Sequence, residues 1–294
     1  MDANLLASWL PTQYQGQLTP LTGGLTNHSW RLDTPHQSYW LRLGNRQSAA
    51  LGIDRHQELL AHTAAAAAGL APIIHYAEPK LGILLLDWLS EPNWQQVAAG
   101  QVSQDQVTEE PVTPKQAANL PLLMTKVAHL HRLTPALNPL CLRAQAELYL
   151  RQLTPVSDEL KRYARRFEQA QLNLDYSPVF CHHDLNGANV LGARPWLIDW
   201  EYAALGDAAF ELAVIADSFA LSPEGARQLL ADYNGAGGEV CERRFAARRP
   251  WVPWLTALWA ALQYQYTAQP SYRQLARQAL TQLKASLADV APSP

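Results

Sequence analysis

The first third of the chain alternates short apolar and polar positions between turn-forming residues. Residues 18–43 read LTPLTGGLTNHSWRLDTPHQSYWLRL, and Gly, Asn, Pro and Asp separate its aromatic-rich segments. This pattern predicts antiparallel strands. Residues 53–68, IDRHQELLAHTAAAAA, are mostly strong helix formers followed by Gly69, which predicts one helix. The apolar segments around EPKLG then predict a β-hairpin that ends near Asp87.

Apolar positions at helical spacing dominate the rest of the chain. Residues 98–118 are polar and contain two prolines, so they predict a surface connection. Residues 177–207, SPVFCHHDLNGANVLGARPWLIDWEYAALGD, interrupt the helical pattern and predict a strand, a loop and a strand. The sequence therefore predicts an α+β fold of two lobes. Residues 1–88 form a small antiparallel sheet with one helix, residues 89–294 form a larger, mainly helical lobe, and the hinge lies at 87–89.

Composition narrows the classes of partner. Hydrophobic residues make up 48% of the chain and charged residues 17%, without an apolar run of the roughly 20 residues that a membrane helix needs. A formal charge of −3 provides no field to hold a polyanion, so neither nucleic acid nor a membrane is an expected partner. The N-terminal residues lack the basic flank and long apolar segment of a secretory signal, which predicts a cytoplasmic protein. The three cysteines are too far apart for a CxxC pair.

The interruption at 177–207 carries the strongest chemical signal. His182, Asp184 and Asn189 form HxDxxxxN, and a short apolar strand then places Asp199 ten residues after Asn189. Phosphoryl transfer from ATP needs a carboxylate for the acceptor hydroxyl and oxygen ligands for Mg²⁺. Asp184 suits the catalytic role, and Asn189 with Asp199 suits the metal. The alternatives are an ordinary turn and a transition-metal site at residues 181–184. Adjacent residues on an extended segment alternate sides, which disfavours the metal site.

The first lobe offers candidate ATP contacts. The turn LTGGLTN contains Gly23, Gly24 and Asn27 and lets backbone amides approach phosphate oxygens. Arg42 on the next strand suits the bridging of phosphates, and Glu58 on the following helix can hold it as a bidentate pair. A surface ion pair is the alternative for Arg42 and Glu58. The order of the parts, from glycine turn to strand aspartate, matches a protein-kinase-like template.

These residues resemble the aminoglycoside phosphotransferase and choline kinase superfamily, whose members phosphorylate hydroxyl groups of small molecules with a two-lobe, protein-kinase-like fold. LTGGLTN, WLRLG and IDRHQE resemble its first-lobe motifs, and CHHDLNGANVL and LIDWEYAALGDAAFELA its second-lobe motifs. The resemblance implies that Arg42 contacts ATP phosphates and that Glu58 orients it. It also implies that Asp184 is the catalytic carboxylate and that Asn189 and Asp199 bind Mg²⁺.

The sequence specifies the acceptor less closely, because the residues that bind the phosphates do not determine which hydroxyl compound is phosphorylated. Aromatic residues in the tail, among them Trp259, would attract a cationic alcohol, and Glu201 could help to bind it. Core packing is the alternative for these rings. In the resemblance, Glu201, Tyr202 and Asp207 support the metal or substrate side. WVPWL and DWEYAALGDAAFELA resemble bacterial thiamine kinases more than choline kinases, which favours the conversion of thiamine to thiamine monophosphate. Choline or ethanolamine phosphorylation and a catalytically silent nucleotide-binding protein remain alternatives.

Other polar features predict no role in catalysis. His129 and His131 lie on opposite sides of a predicted helix and are expected to pack or to face solvent. The basic clusters at 162–166 and 243–249 predict solvated faces.

Overall fold

A computed structural model describes residues 6, 8–21, 27–45, 47–100, 119–169 and 174–289. The predicted strands of the first lobe form one antiparallel sheet of five strands in the order β1-β2-β3-β5-β4. They are β1 (Gln17–Leu21), β2 (His28–Asp33), β3 (Ser38–Leu43), β4 (Ile74–Glu78) and β5 (Ile83–Asp87). A single turn of 3-10 helix, Ser48–Leu51, precedes the helix of this lobe, α1 (Arg55–Ala67).

Helices make up most of the remaining described chain. They are α2 (Trp94–Ala98), α3 (Leu120–Leu130), α4 (Leu142–Gln152), α5 (Asp158–Gln169), α6 (Ala208–Ser218), α7 (Pro223–Gly235), α8 (Glu242–Arg248), α9 (Trp251–Thr267) and α10 (Pro270–Asp289). None of the described helices combines the length and the hydropathy needed to cross a membrane. The predicted connection at 98–118 lies mostly outside the described residues.

The period of two along β3 separates the core from the candidate site. Leu41 and Leu43 are buried in a cluster with Leu6 and Leu10 on one face of the sheet. Because successive strand residues point to opposite faces, Arg42 faces the other way and reaches Glu58 on α1. One strand thus contributes both to the packing of the sheet and to the charged side chains next to α1.

The predicted helix α1 is confirmed, and its ends have clear causes. The side chain of Asp54 accepts hydrogen bonds from the backbone amides of His56 and Gln57, which caps the N-terminus. Gly69 follows the helix at φ +69°, in the left-handed region where glycine is favoured. Ala61 is fully buried in the same apolar cluster as the helices of the second lobe. Helix α1 belongs to the first lobe in sequence but packs against the second lobe. The predicted boundary between the lobes at residue 88 therefore stays a prediction.

The interruption at 177–207 contains more strands than the predicted strand, loop and strand. Two separate two-stranded sheets form there, β6 (Val179–Cys181) with β9 (Ala204–Gly206), and β7 (Val190–Leu191) with β8 (Trp196–Leu197). The chain reverses direction after β7 at Gly192, whose φ is +74°. The additional hairpin brings residue 189 back beside residue 198, since the Ile198 amide donates to the Asn189 carbonyl.

The prediction of a solvated face at 243–249 is wrong for Arg248. This guanidinium is only 3% exposed and its Nε lies 2.6 Å from Oδ2 of Asp207. Asp207 also accepts a hydrogen bond from the Ala209 amide and caps α6. Asp207 therefore joins α8 to α6, and the role on the metal or substrate side that the resemblance implies for it stays a prediction. Charge density along the sequence cannot distinguish such a buried pair from a solvated cluster.

Candidate active site

The HxDxxxxN segment folds into a loop in which hydrogen bonds from two side chains orient the carboxylate of Asp184. After β6, the loop carries Asp184, and a 3-10 turn at Gly187–Asn189 follows. The side-chain amide of Asn189 donates to Oδ2 of Asp184 at 2.9 Å, and that of Asn186 donates to Oδ1 at 3.1 Å. Both carboxylate oxygens therefore have a fixed partner within six residues of sequence.

Burial gives Asp184 the protonation behaviour of a group that works near neutral pH. Loss of solvent raises the pKa of its carboxyl to about 7. The hydrogen bonds from Asn186 and Asn189 lower the pKa, and the charge of Glu201 raises it further. A carboxylate with such a pKa can accept a proton from an acceptor hydroxyl and release it again at physiological pH.

Asp199 adopts an unusual backbone conformation at the end of β8. Its φ is +64°, which is uncommon for a residue with a side chain. Its Oδ1 is buried without a hydrogen-bond partner among the described residues and lies 3.8 Å from Nη1 of Arg42. Burial, followed by the charge of Glu201, raises the pKa of Asp199 well above its usual range. Strain and an unpartnered buried oxygen at one residue are features of a binding position.

Arg42 and Glu58 form the predicted bidentate pair. Nη1 and Nη2 of Arg42 bind the two carboxylate oxygens of Glu58, and both side chains are 3% exposed, which excludes the alternative of a surface pair. Burial acts against ionisation of both groups, but Arg42 and Arg55 hold the pKa of Glu58 at about 2. The Nε of Arg42 has no partner among the described residues.

Asn27 and Glu201 contact each other across the two lobes. The amide Nδ2 of Asn27 donates to Oε2 of Glu201 at 2.8 Å. Arg55 binds the same oxygen at 3.0 Å, so the charge of Glu201 is already matched. Gly23 and Gly24 lie outside the described residues. The expected roles of Asn27 toward ATP and of Glu201 toward the acceptor stay predictions.

Aromatic side chains form one wall beside these acids. The indole Nε1 of Trp259 on α9 donates to the Tyr202 hydroxyl at 3.0 Å. Tyr149 on α4 lies near Tyr202 and is buried, and its hydroxyl donates to the backbone oxygen of Leu51 at 3.3 Å. Trp251 and Trp254, by contrast, are buried and pack on Phe167. Each of the two alternatives for the aromatic residues of the tail therefore applies to some of them. Trp259 is half-buried near the acids, and the rings of Trp251 and Trp254 lie in the core.

A second polar cluster lies beneath the HxDxxxxN loop, and the sequence did not predict it. Glu211 on α6 accepts hydrogen bonds from the backbone amides of His182 and His183. Its Oε2 also lies 3.0 Å from Nε2 of His131, and this contact is the main influence that keeps the pKa of Glu211 at about 2 despite burial. Ligand atoms of His131, Cys181 and Glu211 lie within 4.8 Å of one another. Hydrogen bonds already occupy both carboxylate oxygens, so the cluster supports the loop.

The residues that could hold a divalent cation are Asn189 and Asp199. The amide nitrogen of Asn189 donates both its hydrogen bonds to Asp184, to the backbone oxygen at 2.8 Å and to Oδ2. This orientation leaves the amide oxygen without a donor in the part of the chain that the structure describes. Together with the unpartnered Oδ1 of Asp199, it supplies the hard oxygen ligands that Mg²⁺ prefers. Carboxylates outnumber guanidinium groups around Asp199, and this surplus negative charge suits a dication.

Comparison with known proteins supports the resemblance. A sequence profile of the phosphotransferase enzyme family matches residues 17–251. Protein LicA of Haemophilus influenzae is 29% identical, and the alignment covers 72% of this chain and 61% of that protein. Thiamine kinase of Escherichia coli O81 (strain ED1a) is 32% identical over 47% of this chain and 52% of that protein. The chain therefore matches less than two thirds of the length of either relative.

Solved structures share the fold at low sequence identity. A choline/ethanolamine kinase family protein from Mesorhizobium loti has a TM-score of 0.72 at 22% identity, covering 97% of this chain and 93% of its own. Choline kinase LicA from Streptococcus pneumoniae has a TM-score of 0.73 at 15% identity, covering 96% and 97%. The predicted two-lobe, kinase-like α+β fold is confirmed. By the profile match over most of its length, the chain belongs to the phosphotransferase enzyme family.

Proposed function

We propose that this protein is an ATP-dependent kinase that transfers the γ-phosphate to a hydroxyl group of a small molecule. The observation that carries the proposal is the hydrogen bond from Asn189 to Asp184, together with Asp199, which lies 3.8 Å from Arg42 of the Arg42–Glu58 pair. These are the parts that phosphoryl transfer requires, since the reaction depends on positioning and electrostatic stabilisation.

Asp184 acts on the acceptor. Its carboxylate orients the hydroxyl oxygen toward the γ-phosphorus, where a new P–O bond forms while the bond to the β,γ-bridging oxygen breaks. The hydroxyl proton passes to Asp184, and ADP leaves with the electron pair of the broken bond. A pKa near 7 lets Asp184 take up this proton and return it to solvent.

Arg42 acts on the nucleotide. Glu58 holds its guanidinium in one orientation, and the N–H groups of Arg42 that Glu58 does not bind are the donors for a phosphate oxygen. Asn189 and Asp199 would hold Mg²⁺, which supplies charge neutralisation on the phosphates when bound.

We favour a cationic alcohol as the acceptor, and thiamine among these. The aromatic wall of Tyr149, Tyr202 and Trp259 lies beside a surplus of carboxylates, an environment that attracts an organic cation. Two thiamine kinases, from Escherichia coli and Salmonella heidelberg, are 32% and 31% identical to this chain over 47% and 42% of its length. The choline and ethanolamine kinases among the solved structures share the fold at 22% identity or less, so choline and ethanolamine are the second candidates.

The test is Mg²⁺-dependent release of ADP from ATP in the presence of thiamine, choline, ethanolamine, homoserine, methylthioribose or an aminoglycoside. Asp184→Ala serves as the inactive control. We expect thiamine to stimulate release in the wild type and not in the variant, with thiamine monophosphate as the product by mass spectrometry.

Each other outcome changes a defined part of the proposal. Stimulation by choline or ethanolamine keeps the mechanism and replaces the acceptor. MgATP binding without turnover on any acceptor, together with identical behaviour of Asp184→Ala, would contradict the kinase proposal and favour a silent nucleotide-binding protein.

A further inference from the structure

A cluster of three side chains joins the two lobes outside the catalytic loop. Oε2 of Glu201 accepts hydrogen bonds from Nδ2 of Asn27 at 2.8 Å and from Nη1 of Arg55 at 3.0 Å. Asn27 precedes β2 and Arg55 begins α1, so two separate elements of the first lobe converge on one carboxylate of the second. We call this cluster of Asn27, Arg55 and Glu201 the interlobe clasp.

Both terminal nitrogens of Arg55 are bound inside the protein, whereas its Nε has no hydrogen-bond partner among the described residues. Its side chain is 9% exposed, and its Nη2 donates to Oδ1 of Asn27 at 3.1 Å and to Oγ of Ser48 at 2.7 Å. Its guanidinium lies flat against Gly44, where a Cβ would come within 2.8 Å of Nη2. Only glycine leaves room for it there. Contacts with Gly44 directly after β3, with Ser48 of the 3-10 turn and with Asn27 therefore hold Arg55 in place.

The clasp connects directly to the groups assigned to phosphate and metal. Nη1 of Arg55 also lies 2.8 Å from Oε2 of Glu58, the residue that orients Arg42. Glu201 follows Asp199 by two residues. A continuous series of charged contacts thus runs from Arg42 through Glu58 and Arg55 to Glu201.

The geometry points to Arg55 and Asn27 as positioning residues that set the spacing between Arg42 and Asp199 through Glu201. Their function is to fix the two lobes at the separation that in-line transfer requires, and Glu201 serves as their anchor. Misplacement by about 1 Å can cost roughly a hundredfold in rate, so a small change in this spacing matters. The kinetic part of the inference rests on the proposed kinase function, whereas the structural part does not.

The kinetic test compares Arg55→Met, Glu201→Gln and the double variant. Gln57→Ala is the matched control, because Gln57 lies on the same helix and also bonds across the lobes, to the Asn138 amide at 2.7 Å. We expect Arg55→Met to lower kcat by about tenfold to about a hundredfold. The Kd for MgADP should change by less than about threefold, because the proposal assigns phosphate binding to Arg42 and not to Arg55.

The double variant distinguishes a clasp from two independent roles. Arg55→Met leaves Glu201 as a buried carboxylate without its cation, and Glu201→Gln removes that charge. We therefore expect Arg55→Met/Glu201→Gln to be no slower than Arg55→Met alone. A kcat that is the product of the two single losses would overturn the inference, as would an equal loss in Gln57→Ala or an unchanged kcat in Arg55→Met.

Hydrogen exchange on the nucleotide-free protein tests the clasp without any acceptor. The Asn45 amide donates to Oδ1 of Asn27, so loosening the clasp should expose it. We expect peptides that cover residues 39–45 to exchange about tenfold faster in Arg55→Met and at the wild-type rate in Gln57→Ala. Unchanged exchange would refute the clasp even if the wild type proves to be a kinase. Faster exchange would support it even if no acceptor is phosphorylated.

A second variant keeps the test valid if Arg55→Met fails to fold. Asn27→Ala removes one of the two donors to Glu201 and leaves no buried charge unpaired. We expect faster exchange of the same peptides and a lower kcat. Wild-type values for both would overturn the inference.

Discussion

The amide group of Asn189 donates to both the backbone oxygen and the side-chain Oδ2 of Asp184, at 2.8 Å and 2.9 Å. This double contact fixes the orientation of one carboxylate oxygen. It also directs the amide oxygen of Asn189 away from Asp184, toward the position proposed for a cation. One residue thus links the proposed proton acceptor to the proposed metal site.

Substitution of Asp184 should remove turnover and leave nucleotide binding. We expect Asp184→Asn and Asp184→Ala to lower kcat by roughly a hundredfold to ten-thousandfold, the usual contribution of a general base. The Kd for MgATP should stay within a few-fold of the wild type, because Asp184 is assigned to the acceptor. ADP release and calorimetric titration measure the two quantities. Retention of wild-type turnover in Asp184→Ala would remove Asp184 from the mechanism.

Lysine should not replace Arg42, although both carry a positive charge. Arg42 uses two nitrogens on the two oxygens of Glu58, and a lysine ammonium cannot reproduce this planar contact. We expect Arg42→Lys to lower the free energy of unfolding by about 1–3 kcal/mol and kcat by about tenfold or more. Urea denaturation and ADP release measure them. Arg31→Lys, in a half-exposed pair with Asp33, is the control and should change stability by less than about 1 kcal/mol.

The sequence predicted those candidate site residues that are close together along the chain or that follow the order of motifs in the protein-kinase-like template. Asp184 and Asn189 are five residues apart, and the strand that carries Asp199 has an apolar pattern. The pairing of Arg42 with Glu58 also followed from a strand and a helix in succession. Local propensity and spacing contain this information because the elements themselves set the geometry.

The sequence could not predict contacts whose partners depend on packing of the two lobes. Arg55 and Glu201 are 146 residues apart, and nothing in their neighbourhoods marks them as partners. Arg248 lies among other arginines, yet it is buried on Asp207, and Arg244 also lies within 3.4 Å of this carboxylate. Helix α7 begins with Ser222 as its cap and Pro223 in the first turn, a local start signal that does not depend on apolar spacing.

The half-buried ring of Trp259 should act on the acceptor and not on ATP. We expect Trp259→Ala to raise the KM for the acceptor by about tenfold, because it removes both the aromatic face and the hydrogen bond to Tyr202. The KM for ATP should not change. Trp251→Phe alters a core ring and serves as the control, with lower thermal stability and an unchanged acceptor KM. Equal effects on both substrates in Trp259→Ala would argue for a general packing role.

Buried histidines should make the protein less stable as the pH falls. Burial lowers the pKa of His62 from 6.5 to about 4, so between these values the unfolded chain binds a proton that the folded chain does not. Stability is therefore present above pH 6.5 and is lost toward pH 4, by up to about 1.4 kcal/mol per pH unit for one proton. His62→Gln should reduce this slope in urea denaturation, whereas His36→Gln at an exposed turn should not. An unchanged slope in His62→Gln would exclude His62 as a source.

Gly206 should tolerate no side chain while His183 is present. A Cβ at Gly206 would lie 2.1 Å from Nε2 of the buried His183 ring. We expect Gly206→Ala to lower the free energy of unfolding by about 1–3 kcal/mol, the usual cost of overpacking. His183 has φ +66°, a conformation that glycine adopts freely, so adding His183→Gly should recover part of the loss. Gly225→Ala, whose new Cβ meets nothing closer than 3.5 Å inside α7, should leave stability equal or higher. A double variant that is less stable than Gly206→Ala alone would show that the His183 ring is not what prevents a side chain at this position.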